Sequence, residues 1–149
     1  MTGAGAAITV TGLAETKAAL ARLTATVSDL TDVMDEIGGA LVANAQMRFE
    51  DEREPGGSPW AALLAATARA KARAGKERIL TMDGYLRASL THSPAADQVE
   101  VGADMVYAAT HQFGREDIPP RPYLPIPDLG ADDENAIREI IREALERAL

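Results

Sequence analysis

Cysteine is absent from the 149 residues, and histidine and aromatic residues are scarce. Without cysteine the chain can form no disulfide framework, no thiolate metal site and no cysteine nucleophile. A zinc site needs three or four ligands at workable spacing, whereas the chain has two histidines, His92 and His111, in unrelated segments. The sequence therefore predicts neither a bound metal nor a cofactor.

Net positive charge and long apolar runs are missing as well. The chain has 23 acidic and 15 basic residues, a net charge of −8. Nucleic-acid binding needs a basic face, so no specific nucleic-acid partner is predicted. No apolar run reaches the roughly 18 residues of a membrane span, and the first residues lack the basic segment of a secretory signal. We expect a single domain over residues 1–149 and no membrane partner.

Apolar periodicity is the clearest feature that is present. Apolar residues recur at alternating spacings of three and four from Leu13 to Leu41, with Thr16 filling the one gap, which is typical of an amphipathic helix or a helical hairpin. The capping residues Ser28 and Asp29 favour two helices over one rod, and they favour ordinary core packing over a coiled coil. Gly38 and Gly39 indicate a kink or a close helix crossing.

A second periodic stretch begins at Ala131 and predicts a C-terminal helix with one apolar face. Its polar side offers favourable pairs four residues apart, Glu134 with Arg138 and Glu143 with Arg147. Between the two periodic stretches, residues 61–75 have helical propensity. Residues 83–90 indicate one or two helical turns capped by Asp83.

Strand patterns are short. The β-branched residues 8–11 predict a first strand, and residues 91–94 and 98–102 predict the two strands of a hairpin whose turn is residues 94–97. The elements together favour an α+β fold, with a small antiparallel sheet flanked by a long N-terminal helical pair and a C-terminal amphipathic helix.

Two irregular segments flank the middle of the chain. Residues 51–59 place two prolines around two glycines, which predicts a flexible loop. Trp60 follows it, and two alternatives are open: an anchor in a subunit interface, or a residue in the monomer's own core. The basic residues that follow, from Arg69 to Arg78, favour a solvated helix face over a patch that meets an acidic neighbour.

The stretch VYAATHQFGR, residues 106–115, predicts a short helix that ends at Gly114. Tyr107 and His111 share a face of that helix, and His111 and Gln112 can hydrogen-bond loop backbone. Phe113 is expected to anchor the turn, either in the core or in a neighbouring subunit. The proline-rich residues 115–128 cannot form an interior strand, and we expect them to be an exposed arm that lies across another subunit.

Catalysis is weakly supported. His111 is the one histidine with suggestive neighbours, but the sequence has no nucleophile elbow of the G-x-S-x-G type beside it. Glycine-rich residues near the N-terminus lack the lysine and hydroxyl residue of a phosphate-binding loop. We therefore expect no enzyme and no catalytic residue.

Five short blocks in a fixed order resemble the bacteriophage virion-morphogenesis family, the tail-completion proteins of Mu-like and other long-tailed phages. The blocks are Phe49 with EPGGSPW, Thr67 with Lys71, ILTMDGYLRASL, VEVGADMVYAATHQFG and PPRPYLPI. The YA-x-x-HQFG block is the most specific. The resemblance covers the chain from the second helix to Leu124.

The resemblance implies a non-enzymatic structural protein that completes the tail or joins it to the head at the neck. It implies a homo-oligomer that can close as a six-fold ring and that contacts tail-tube or head–tail connector proteins. The chain would then be found in the virion, and in the host cytoplasm during assembly. The alternative is a cytoplasmic adaptor or chaperone-like factor that is absent from the particle. A small hydrolase using His111 is a third alternative, which the residues favour least.

The motif blocks also supply candidate residues for contacts between subunits or with partners. These candidates are Pro55, Gly57, Trp60, Arg87, Tyr107, His111, Gln112, Phe113, Gly114, Arg121, Pro122, Tyr123 and Leu124.

Overall fold

The computed structural model describes residues 13–149, and the strand expected at residues 8–11 lies outside them. Helices and a hairpin alternate along this part of the chain. In order they are α1 (Leu13–Ser28), α2 (Thr31–Asp51), α3 (Ala65–Arg73), α4 (Tyr85–Ala88), β1 (Leu90–Pro94), β2 (Val99–Ala103), α5 (Ala108–Phe113) and α6 (Ala131–Ala148). The predicted α+β class is confirmed.

The helical pair divides where the capping residues predicted. Helix α1 ends at Ser28, and the Asp29 carboxylate accepts the backbone N–H of Thr31 at 3.0 Å and its hydroxyl at 2.5 Å. These bonds satisfy donors that a helix start leaves free. The two helices are not a coiled coil, because α2 packs mainly on β1 and α6, and α1 contacts α6.

The hairpin and α2 approach each other closely at Gly38. A Cβ atom built at Gly38 would lie 2.5 Å from Cδ2 of His92 and 2.7 Å from Cγ2 of Val99. Glycine at this position therefore lets the helix rest directly on the sheet. The predicted close crossing is present, but its partner is the hairpin.

Strands β1 and β2 pair antiparallel from Leu90 opposite Ala103 to Pro94 opposite Val99. The turn closes through the backbone N–H of Ala95, which donates to the carbonyl of Gln98 at 2.8 Å. The predicted strands are confirmed to within one residue at either end. Val99 and Val101 direct the buried face of the hairpin towards α2 and α6.

Two predictions for the short helices are wrong in detail. Asp83 does not cap α4; its carboxylate pairs with Lys76, and the cap position belongs to Gly84 in a left-handed conformation. Helix α3 begins at Ala65 instead of residue 61. The reason is that the carbonyls of Ala61 and Ala62 bind the Arg121 guanidinium at 2.7 and 3.0 Å.

Helix α2 contributes to two cores, one at each end. Its first half packs with α6 and the hairpin in a cluster of Val33, Ile37, Leu41 and Ala144. Its second half packs with the motif blocks in a cluster of Ala45, Phe49, Trp60, Leu86, Leu90, Ala108, Tyr123 and Leu124. One long helix therefore holds the hairpin, α6 and the motif segments in fixed relative positions.

A buried ion-pair network fixes the start of α6 against α2. The guanidinium of Arg48 binds the fully buried carboxylate of Asp133 at 2.5 Å, Asp132 at 3.0 Å and the carbonyl of Tyr123 at 2.9 Å. Asp133 also accepts the Asn44 amide at 3.1 Å and the Gly130 N–H at 3.0 Å. A buried charge needs such pairing and hydrogen bonds to offset its lost hydration.

The C-terminal helix matches its prediction in extent. Glu134 pairs with Arg138 as expected, at 3.9 Å. The expected pair of Glu143 with Arg147 does not form, because Arg147 turns to Glu36 of α2 at 3.3 Å. No helix within residues 13–149 is long and apolar enough to cross a membrane.

Candidate interaction surface

The side chain of Gln112 clamps the chain that follows α5. Its Oε1 accepts the backbone N–H groups of Tyr123 at 3.1 Å and Leu124 at 2.9 Å, and its Nε2 donates to the carbonyl of Leu124 at 3.1 Å. Only 3% of Gln112 is exposed. The prediction that Gln112 fixes loop backbone is confirmed.

Tyr123 lies at the centre of the motif core. Its hydroxyl donates to the carbonyl of Ala108 at 2.9 Å, and its ring packs on Phe49 at 5.3 Å between centroids. Burial raises the pKa of Tyr123 to about 12. Arg121, Tyr123 and Leu124 are all buried within the chain, so the expectation of an exposed arm is wrong for this part of residues 115–128. The apolar side chains between the prolines fold back into the chain's own core.

Trp60 takes the core alternative. It is 6% exposed, stacks edge-on against Phe49 at 5.5 Å, and donates from Nε1 to the carbonyl of Pro122 at 2.7 Å. This bond joins the segment after the loop to the proline-rich segment. Trp60 is thus a bridge between two motif blocks inside one chain.

Arg121 also acts within the chain. Its guanidinium binds the two carbonyls before α3, as described above, and its backbone N–H donates to the carbonyl of His111 at 2.8 Å. Burial lowers the pKa of Arg121. The motif segments containing Ala61, His111 and Arg121 are therefore tied into one unit.

Gly114 ends α5, as predicted, at a positive φ of 77°. A Cβ at this position would lie 2.8 Å from the carbonyl oxygen of Ile118 and 2.9 Å from the nitrogen of Pro120. The turn leaves Phe113 61% exposed. Of the two alternatives for Phe113, the monomer core is excluded, and contact with a neighbouring subunit stays a prediction.

Residues 51–59 form a closed turn in the structure. The backbone N–H of Glu54 donates to the carbonyl of Ser58 at 2.9 Å, and Arg53 binds the carbonyl of Gly57 at 2.8 Å. Gly57 has a φ of +92°, which favours glycine. Flexibility of this loop, and subunit contacts of Pro55 and Gly57, stay predictions. Arg87, another candidate, forms an ion pair with Glu50.

An open groove of about 740 Å³ lies beside the motif core, between α3 and α4. Hereafter it is called the groove. Met82, Tyr85 and Tyr107 line it and are 54%, 63% and 39% exposed, so the groove presents uncovered apolar surface. The full lining is Leu63, Ala66, Thr67, Ala70, Lys71, Leu80, Met82, Asp83, Gly84, Tyr85, Leu86, Tyr107 and His111.

Two ionisable side chains in the groove have pKa values below their ordinary ones. Burial lowers the pKa of His111, and the charge of Arg121 lowers it further. Burial also lowers the pKa of Lys71, whose amine donates to the carbonyl of Thr81 at 3.0 Å. The His111 ring packs edge-on against Tyr107 at 5.7 Å, which confirms that the two residues share a face. Most of the side chains that line the groove are apolar.

His111 lies in the wall of the apolar groove. Its buried Nδ1 has no hydrogen-bond partner among the described residues, so no carboxylate orients the ring as a triad requires. Residues 13–149 contain no cluster of potential metal ligands. An apolar groove rimmed by aromatic side chains can receive apolar side chains of a partner.

Much of the basic cluster from Arg69 to Arg78 is engaged within the chain. Lys71 is buried, Lys76 pairs with Asp83, and Arg78 pairs with Glu50 at 3.0 Å. Arg69 and Arg73 stay exposed on α3 and form no ion pair among the described residues. The exposure of Arg69 and Arg73 fits a solvated face, whereas Lys71 contradicts it, and contact of the two arginines with an acidic neighbour stays a prediction.

Sequence reasoning did not find Met82 and Tyr85, which carry most of the exposed apolar surface of the groove. Met82 stands between Thr81 and Asp83, and Tyr85 follows Asp83 and Gly84, so neither belongs to a longer periodic apolar stretch. The motif block that contains them is visible, but which side chains face outward depends on how α4 packs on the core through its own Leu86.

The chain is similar to known proteins over most of its length. The model of the phage virion morphogenesis family matches residues 12–146. The chain is also 30% identical, over 124 residues, to Mu-like prophage FluMu G protein 1 of Haemophilus influenzae. That alignment covers 81% of this chain and 83% of the relative. No solved structure matches the chain significantly.

Proposed function

The chain belongs to the phage virion morphogenesis family, and on that premise we propose that it completes the phage tail or joins it to the head. In this proposal it acts at the neck as a non-enzymatic, ring-forming homo-oligomer. Its partners are further copies of itself and the tail-tube or head–tail connector proteins.

The exposed groove is the observation that supports this proposal. Exposed apolar patches rimmed by polar residues can mark interaction sites. Here Met82, Tyr85 and Tyr107 are exposed although the motif core beside them is fully packed. A surface that is apolar, rigidly supported and free of a catalytic constellation suits assembly.

The rigidity of the motif segments gives further support. The Gln112 clamp, the Trp60 bridge and the Arg121 contacts are all internal, so these residues stabilise the surface from behind. A subunit that must fit identical neighbours at a fixed angle benefits from such support, because closed rings require a constant rotation between subunits.

Electron microscopy of a lysate from a phage or prophage that lacks this chain tests the proposal. We expect separate full heads beside separate tails, and restoration of joined particles by the wild-type gene. Intact, normally joined particles in its absence would contradict the completion role. Quantifying the chain in purified particles separates a virion component from an adaptor, which would be absent from them.

A further inference from the structure

We propose that the groove of one copy receives the exposed apolar edge of helix α6 from a second copy, in a head-to-tail contact. This inference rests on the proposed ring-forming function and specifies the two surfaces that meet. The occupant is Ile141 and Leu145 of α6 together with Leu149, which directly follows the helix; these residues are hereafter the α6 edge.

The α6 edge has the form of a groove-binding helix. Its three residues are spaced four apart and lie along one stripe, and they are 43%, 41% and 68% exposed. The adjoining side of α6, about a quarter turn away, carries its contacts with α2 through Ile137, Ile140 and Ala144. An amphipathic helix binds a groove through anchors at this kind of spacing.

The dimensions of the two surfaces agree. Helix α3, which forms one wall of the groove, has nine residues and is about 13 Å long. The α6 edge spans eight residue steps, about 12 Å of helix. Ala66 and Ala70 of α3 face the groove, and their small side chains leave room for a second helix.

The groove region and helix α6 carry net charges of opposite sign. Residues 61–90, which supply most of the groove, contain six basic and two acidic residues, a net charge of +4. The whole chain carries −8, so the remainder carries −12. Helix α6 alone has six acidic and three basic residues. A second copy is thus an acidic partner for a basic groove region.

Individual side chains follow the same division. Arg69 and Arg73 are exposed beside the groove and form no ion pair among the described residues. Glu139, Glu143 and Glu146 occupy the solvent side of α6, and Arg142 binds two of them. Like charges within each surface disfavour pairing of two grooves or two α6 edges. Opposite charges favour the head-to-tail arrangement, which closes into a ring when the rotation permits.

Cross-linking between two single-cysteine variants tests this contact. The chain has no cysteine of its own. A cross-link between the variants Met82→Cys, in the groove, and Leu145→Cys, on the α6 edge, must therefore join the two introduced thiols. Both positions are exposed, and neither substitution disturbs the core. Differently tagged variants are produced together in cells that assemble particles, and the lysate and purified particles are treated with a short bismaleimide.

We expect a cross-linked dimer carrying both tags, and no dimer when either variant is produced alone. Ser58→Cys, on the exposed 51–59 loop outside the groove, is the matched control and should not cross-link to Leu145→Cys. Dimers of Met82→Cys with itself would overturn the inference in favour of a two-fold contact. Assembled oligomers without the mixed dimer would overturn it as well.

A charge exchange gives an independent check. The double variant Arg69→Glu, Arg73→Glu should lose assembly, as should Glu139→Lys, Glu143→Lys. Combining all four changes in one chain should restore assembly if these surfaces meet, and continued loss of assembly in a normally folded chain would overturn the contact.

Failure of these tests in particles that still contain the chain leaves the tail-completion role intact. Normal particles without the chain would reject that role itself.

Discussion

Gln112 joins more buried backbone groups of the motif region than any other single side chain described above. It satisfies two N–H donors and one carbonyl in a segment whose prolines cannot supply ladder bonds. The residue is therefore a substitute for secondary structure, because it gives an irregular segment the fixed partners that a strand would obtain from its neighbour.

Gln112→Ala should strongly destabilise the fold. Each buried group left without a partner costs about 1–3 kcal/mol, so we expect the free energy of unfolding to fall by about 3 kcal/mol or more. Urea denaturation followed by circular dichroism measures the change. Ala109→Gln, on the exposed side of the same helix, should change it by no more than about 0.5 kcal/mol. Equal effects of the two substitutions would contradict the clamp.

His111 should make stability depend on pH in the mildly acidic range. Its pKa is lowered in the folded chain, so the unfolded chain binds a proton first as the pH falls through about 6.5. Stability contributed by the neutral ring is present above that pH and is lost below it.

His111→Asn removes this dependence. Denaturation midpoints measured from about pH 7.5 to 5 should fall less steeply for the variant than for the wild type. His92 is present in both proteins, so the difference between the curves isolates His111. Parallel curves would show that burial does not perturb the ring.

Helix α2 explains much of the fold at the scale of elements, because both strands and α6 pack on it and α1 contacts α6. Its sequence period predicted the helix and its apolar face. The period could not predict that the glycines serve contact with the hairpin, since that contact joins segments more than 50 residues apart, as the 2.8 Å pair of Asp35 with His92 shows.

Two adjacent glycines of α2 provide a matched test of this packing. Gly38→Ala should destabilise by about 1–3 kcal/mol, because the added methyl group overlaps the hairpin and outweighs the helix preference of alanine. Gly39→Ala places its Cβ no closer than 3.9 Å to His92, so it should stabilise by up to about 1 kcal/mol. Thermal or chemical denaturation distinguishes them. The same sign for both would mean that the helix does not rest on the hairpin at Gly38.

The start of α6 provides a second pair at the same scale. Asp133→Asn leaves the buried Arg48 without its main counter-charge, and we expect a loss of about 3–5 kcal/mol. Asp132→Asn removes the half-exposed partner and should cost under about 1 kcal/mol. Equilibrium unfolding of both variants gives the comparison. A small effect at Asp133 would imply that α6 docks through its apolar face alone.

The positions of the helices and strands were largely predictable from the sequence, whereas the contacts of individual side chains were not. Periodicity and turn residues located α1, α2, the hairpin, α5 and α6, because those signals are local. The sequence offered no local sign that Arg121 would bind the carbonyls before α3, or that Lys71 would be buried. The buried Arg48 and Asp133 network also joins distant segments, so it becomes visible only in three dimensions.

For the whole molecule, the decisive property is which apolar side chains remain outside. Phe113 is 61% exposed although it belongs to the most specific motif block. Phe113→Ala should change stability by under about 1 kcal/mol and should reduce assembly into particles. Denaturation and quantification of the chain in purified particles test both halves. Marked destabilisation would place Phe113 in the core, and normal assembly would remove it from the interface.

The pairing of α2 with α6 also delays completion of the core while the chain is being synthesised. Asp133 follows Arg48 by 85 residues, so on a ribosome adding about 5–20 residues per second the guanidinium waits about 4–17 seconds for its partner. During that interval Val33, Ile37 and Leu41 lack the cover that α6 later supplies. Exposed apolar surface on a nascent chain promotes association with other chains. Premature contacts between copies would therefore begin on polysomes, where many nascent chains lie close together.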